Sequence, residues 1–141
     1  MLNFSYLILI IVGVVLWVIF LISFLIPRII FKVNPKEFEL LIQEIRNTGR
    51  LLLSNRCGGR MGWINFTFGF LGVEIYNTGI IIKPVFLQSV AVKKEEITEI
   101  KNCHHLITPG IKIVHKSDKI RGSIYLYLRL EENIVQELMS K

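Results

Sequence analysis

Four basic residues, Lys112, Lys116, Lys119 and Arg121, fall close together near the C-terminal end of the chain. Ammonium groups act as compact point donors and a guanidinium as a bidentate fork. Gathered on one sheet edge, the four would hold the phosphate or carboxylate groups of an anionic lipid surface or a protein partner. On a solvated hairpin tip the same residues would do no more than solubilise it. Lys93-Lys94 is followed by Glu95-Glu96, which neutralises it locally.

Cys103-His104-His105 with His115 supplies the thiolate and imidazole chemistry that suits zinc. Adjacent histidines on a loop do not converge unless a turn brings both inward, and no Cys-x-x-Cys pair supports them, so no metal site is expected. His115 is in phase with Ile111 and Ile113, which fits a partly buried imidazole bonded to a carbonyl. Gly58-Gly59-Arg60-Met61-Gly62 lacks both the Gly-Lys-Ser/Thr ending of a phosphate loop and a full dinucleotide fingerprint, and it leads into a strand. It reads as a turn. No Ser-His-Asp set and no His-Glu-x-x-His pattern is present, so no catalytic residue and no cofactor is assigned.

The elements that position these residues start at the other end. Phe4 to Ile26, FSYLILIIVGVVLWVIFLISFLI, holds no charged residue and no proline. At about 1.5 Å of rise per residue it is long enough for a hydrocarbon core of about 30 Å. Residues 4–26 are therefore expected to be a transmembrane helix, with the lipid bilayer as their partner. A cleavable signal would show a basic start, a shorter apolar core and a small-residue cleavage site, none of which is present. The first charges, Arg28, Lys32 and Lys36, lie just after the span, and the positive-inside rule keeps such residues on the cytoplasmic side. The expected topology is single-pass in the cell membrane, N-terminus out and C-terminal domain cytoplasmic.

All 17 Lys and Arg and all 11 Asp and Glu lie beyond residue 26, so the net charge of +6 belongs to that domain. It faces an anionic leaflet, where each basic residue near the surface contributes about 1 kcal/mol of attraction. Two cysteines, Cys57 and Cys103, are too few for a disulfide framework and are expected to be free thiols.

Asn34-Pro35-Lys36-Glu37 reads as a helix start, and Phe38, Leu41, Ile42 and Ile45 recur on one face until Asn47-Thr48-Gly49. This predicts a juxtamembrane amphipathic helix over 34–48, packed on the following domain. Glu37, Glu39 and Glu44 are poor company for an anionic surface.

From Arg50 the period changes to two. Leu51 to Leu53 forms a short run, Asn55 to Gly62 a glycine-rich loop, and Trp63 to Phe70 a strand whose face of Ile64, Phe66, Phe68 and Phe70 is expected in the core. Val73 to Tyr76 and Ile80 to Lys83 flank Asn77-Thr78-Gly79, a three-residue hairpin with Gly79 in the left-handed position. Strands follow at Val90 to Val92 and at Ile97 to Lys101, and Cys103 to Gly110 reads as a loop. Ile111 to Lys116 and Ser123 to Arg129 make a second hairpin, and Glu131 to Met139 a final helix without a clear N-cap.

About seven short antiparallel strands followed by one amphipathic helix resembles the pleckstrin-homology-like (PH-like) superfold. Gly72-Val73-Glu74-Ile75-Tyr76-Asn77-Thr78-Gly79-Ile80-Ile81-Ile82 is similar to the hairpin of bacterial PH-like and GRAM-like domains. Ser89 to Ile100 resembles the strand and turn that come next in them, and Gly110 to Lys116 with the final helix also fits. The resemblance implies a mainly β, partly open antiparallel barrel over 50–141 with a C-terminal helix at one end, and a scaffold for binding, with no enzymatic activity. Where phosphoinositide-binding members carry basic residues on their first strands, Trp63 to Tyr76 offers only Glu74.

The expected function is that of a non-enzymatic, membrane-anchored protein whose domain binds a protein partner or an anionic lipid surface. The alternative is a structural subunit of a membrane complex, with the β domain as spacer. Nucleic acid is not an expected partner, because the aromatics of Trp63 to Phe70 alternate inward.

Overall fold

The computed structural model describes residues 4–30, 35–85, 87–105 and 108–140; the side chains of residues 4–5, 22–30 and 105 are outside that description. Helix α1 runs from Phe4 to Ile30, continuing through Pro27 beyond the boundary expected at Ile26. Its side chains over residues 6–20 are apolar, Gly13 apart, and exposed. Among the described residues no helix is long and apolar enough to cross a membrane. In α1 the stretch with described side chains, residues 6–21, is shorter than the about 20 residues a span needs.

Helix α2, Pro35–Thr48, follows its predicted limits, with Asn34, the expected N-cap, outside the described residues. Seven strands follow: β1 Leu51–Met61, β2 Ile64–Tyr76, β3 Gly79–Pro84, β4 Val90–Lys93, β5 Ile97–His105, β6 Thr108–His115 and β7 Ile124–Tyr127. Helix α3, Glu132–Met139, closes the order. Every pairing is antiparallel, in the order β4-β3-β2-β1-β7-β6-β5, which leaves β4 and β5 as open edges. Seven antiparallel strands followed by a terminal helix is the element order expected from the sequence.

The sheet's inner face carries Cys57 and Met61 of β1, Leu71, Val73 and Ile75 of β2, Ile80 and Ile82 of β3, Ile111 and Ile113 of β6, and Ile124 and Leu126 of β7, all buried. Ile134 and Leu138 of α3 join them beside β5. Strands β3 and β4 are buried on both faces, which is why Ile80-Ile81-Ile82 is continuously apolar. The cover over their outer face is α2, whose stripe of Phe38, Leu41 and Ile45 is buried against β3 and β4. The packing expected of this helix therefore holds.

Four local readings are corrected. The glycine-rich segment 55–62 is mostly strand: β1 runs through Asn55 to Met61, and the turn is only Gly62-Trp63. Gly58 and Gly59 are there because β1 is paired on both sides. A Cβ on Gly59 would collide with the Tyr125 carbonyl oxygen of β7 and sit 2.6 Å from Leu71 Cδ1. The second correction concerns Gly79, which pairs with Tyr76 across a two-residue turn of Asn77-Thr78 and is not among the glycines of positive φ. Its missing side chain makes room for the Val92 carbonyl oxygen of β4, which would lie 2.5 Å from a Cβ there, and for Ile45 Cδ1 of α2 at 2.8 Å.

Third, Cys103 to Gly110 is largely hairpin, with His105 paired to Thr108. Fourth, the aromatic face of Trp63 to Phe70 is not core. Ile64 and Phe66 pack partly against it, but Phe68 is 77% exposed, Trp63 64% and Phe70 41%. The reason lies in the β1–β2 register, where β1 advances from Cys57 to Gly59 while β2 advances from Phe66 to Leu71. The surplus of β2 bulges outward through Gly69, whose φ of 89° lies where glycine is at ease.

Candidate cationic face and loop end

Alternation along β1 turns Arg56 and Arg60 to the outer face, since Cys57, Gly59 and Met61 point inward. The registers place Asn65 opposite Arg60, Arg60 opposite Tyr125, Tyr125 opposite Lys112, and Lys112 opposite Lys101. One rung thus crosses five strands. The Arg60 guanidinium carbon lies 4.3 Å from the Tyr125 ring centroid and Lys112 Nζ lies 5.5 Å from it, so one ring holds two cations. Along β7 the next outward residue is Tyr127, whose hydroxyl donates to Asn65 Oδ1 at 3.2 Å. Gly58 and Gly110 flank its ring; Cβ atoms on them would come within 3.1 and 3.4 Å of it. Lys101 is in an ion pair with Glu99 at 2.9 Å.

The four basic residues singled out from sequence are divided by the structure. Lys112 belongs to the rung. Lys116 follows the end of β6, with its backbone N–H bonded to the Glu96 carbonyl, and Lys119 and Arg121 lie in the β6–β7 connection. That connection touches the β1–β2 turn, for a Cβ on Gly62 would lie 3.7 Å from the Arg121 carbonyl oxygen. The Arg121 backbone therefore borders the turn that precedes the exposed Trp63. Arg56 and Arg60 were missed because a stretch with three glycines reads as a loop, which has no outer face to assign. The surviving signal was the even spacing of Arg56, Gly58 and Arg60 along a strand.

Elsewhere cations are spent on structure. Glu74 takes Lys83 across the β2–β3 pair and Arg46 of α2 at 3.0 Å. Burial alone would raise the Glu74 carboxyl, but the hydrogen bonds from Lys83 and Arg46 outweigh it and hold its pKa below the ordinary value. Lys93 Nζ reaches Glu44 of α2 at 2.7 Å and Arg50 reaches Glu137 of α3 at 2.9 Å.

Two clefts border the outer surface. One, of about 570 Å³, is floored by Gly72 between Arg56 and Lys83. The other, of about 940 Å³, lies between the far ends of β5 and β6 and the start of α3, with Cys103, His104, Arg129 and Val135 in its wall. Among the described residues no three His, Cys, Asp or Glu side chains gather as a metal set. Burial pushes the Cys57 thiol up to about 11, and burial also raises Cys103, against the pull of Lys112. His115 is half-buried as expected, with backbone groups of Ser117 and Gly122 beside its ring.

No protein-family model matches the chain, and no curated protein matches it. Among solved structures, one described as the Vps36 N-terminal PH domain matches at 12% identity with a TM-score of 0.49, over 66% of this chain and 81% of that one.

Proposed function

We propose that the chain is a non-enzymatic, single-pass membrane protein in which residues 4–26 anchor a cytoplasmic PH-like domain that binds an anionic lipid surface. The observation that carries the reading is the arrangement of cations. Arg60 and Lys112 are held against one ring, and Lys116, Lys119 and Arg121 lie in the loop beside the β1–β2 turn. Carboxylates hold Arg46, Lys83 and Lys93 elsewhere, and on the rung Glu99 pairs with Lys101 alone among its cations. An array of this kind gains from an anionic surface and loses that gain as salt rises. The apolar, exposed side chains of α1 support the anchor, and Arg28, Lys32 and Lys36 after it support the topology.

The test uses the segment from residue 33 to the C-terminus, mixed with neutral or anionic vesicles and sedimented at rising salt. Binding to anionic vesicles alone, lost as salt rises, is expected. Reversal of Lys112, Lys116, Lys119 and Arg121 to Glu should weaken it by roughly tenfold or more, since each cation contributes about 1 kcal/mol. Binding unchanged by the reversal, or none at any salt, rejects the lipid reading. Loss of a co-purifying protein in the full-length variant would then favour a protein partner or a structural role in a membrane complex.

A further inference from the structure

Gly72 is the strand glycine that packing does not explain. Gly58, Gly59, Gly79 and Gly110 make room for a neighbouring strand, since a Cβ on any of them would come within 2.9 Å of a backbone carbonyl oxygen. Gly69 takes a φ of 89°. Gly72 has neither reason: its φ is not positive, and a Cβ there would meet nothing nearer than Lys83 Cβ at 3.5 Å. A glycine inside a central strand costs stability, and what it offers in return is close approach to the backbone.

The space above it is open and charged. Gly72 floors the cleft of about 570 Å³, with Arg56 opposite it on β1 and Lys83 opposite it on β3. Two strand spacings put the Cα atoms of these two residues about 10 Å apart, a gap that two long cationic side chains close around an ion. Arg46 and Lys83 share the Glu74 carboxylate, while among the described residues Arg56 is in no ion pair. Arg46, Lys83 and Arg56 thus answer to Glu74 alone, and two positive charges are left over.

That surplus selects the ligand. A carboxylate would cancel half of it, whereas a phosphate monoester carries about −1.5 to −2 at neutral pH and cancels nearly all. The Arg56 fork matches two phosphate oxygens, and Lys83 has donors beyond the one given to Glu74. Pro84 and Val85 in the cleft wall are apolar surface for the carbon part of the ester. Six residues of chain separate Arg56 from the turn at Gly62, about 20 Å of strand. A loop end set against a membrane leaves this cleft facing water.

We propose that the cleft over Gly72 binds a soluble phosphate monoester, with the phosphate held between Arg56 and Lys83. The site is separate from the cationic face assigned to lipid and does not depend on that reading.

The full-length chain in a non-ionic detergent is titrated with glycerol 1-phosphate, and in parallel with acetate, at constant ionic strength, and its backbone amides are followed by NMR. Expected are saturable shifts at Arg56, Gly72 and Lys83 with the ester and much weaker ones with acetate. Arg56→Gln, at an exposed side chain, should weaken binding by about tenfold or more. Gly72→Val fills the floor without changing charge and should abolish binding, and Gly72→Ala should weaken it in a folded chain. Lys112→Gln, on the rung, should leave it unchanged. Shifts that do not saturate, that acetate matches, or that survive Arg56→Gln or a folded Gly72→Val overturn the proposal. So does saturation by phosphatidic acid mixed into the detergent with none by the soluble ester, which would return the cleft to the membrane surface. Ester binding together with failed vesicle sedimentation would reject the lipid reading and leave this site standing.

Discussion

His115 shows how a single side chain can tie the domain's stability to pH. It sits at the end of β6 opposite Ile97, with backbone groups of Ser117 and Gly122 beside its ring. Burial lowers its pKa below the ordinary 6.5, while backbone groups of Ser117 and Gly122 and the Glu96 carboxylate pull the other way. The folded state therefore favours the neutral ring, and below pH 6.5 the unfolded chain binds the proton more readily. Stability is complete above 6.5 and is lost as pH falls through the depressed folded value. The loss is small, because the ring is only half-buried and water screens it. Urea unfolding of the segment from residue 33, compared at about pH 8 and about pH 5, should show a slope that shrinks in His115→Leu. An equal slope in the variant would assign the effect to other groups.

At the scale of elements, β1 is the strand on which the barrel turns. It pairs with β2 along its length and with β7 over Gly58 to Met61, so its glycines sit where two backbones close in. Gly59→Ala forces a methyl into the Tyr125 carbonyl and the Leu71 side chain, and a cost of about 2–4 kcal/mol is expected. Gly72 is a control on the neighbouring strand. A Cβ there meets Lys83 at 3.5 Å, an ordinary contact, so Gly72→Ala should stay within about 1 kcal/mol of the parent. Chemical denaturation of both variants decides the point, and equal costs would mean that β1 is not closely held between its neighbours. Rung and bulge depend on the same strand, because β1's alternation aims Arg60 outward and its short path between Cys57 and Gly59 forces β2 to bulge.

For the whole molecule, α2 joins whatever the first helix does to whatever the barrel binds. Its stripe is sealed against β3 and β4, and ion pairs from Arg46 to Glu74 and from Lys93 to Glu44 frame the contact. Phe38→Ala should cost about 3–5 kcal/mol, because a fully buried ring is lost from a site walled by strands. Leu40→Ala, on the exposed side of the same helix, should be close to neutral. Thermal melts that fail to separate the two would mean that α2 is not part of the domain's cooperative unit.

Much of this was legible in the residues alone. A stripe at helical spacing located α2 and named its buried face, and period-two runs with turn residues located seven strands and a final helix. Both signals are local, since a face must repeat every 3.6 or every two residues to be buried. The cationic rung was not legible, because it draws Arg60, Tyr125, Lys112 and Lys101 from four strands that only register aligns. Nor was the fate of Phe68 and Trp63. Alternation says that a face exists, but whether it lies inside or outside depends on which strand runs beside it, and β3 stops short of them. Gly58, Gly59 and Gly79 make the same point. Sequence could say that each position lacks a side chain, and only the tertiary structure could say that a neighbouring backbone or the tip of Ile45 occupies the space.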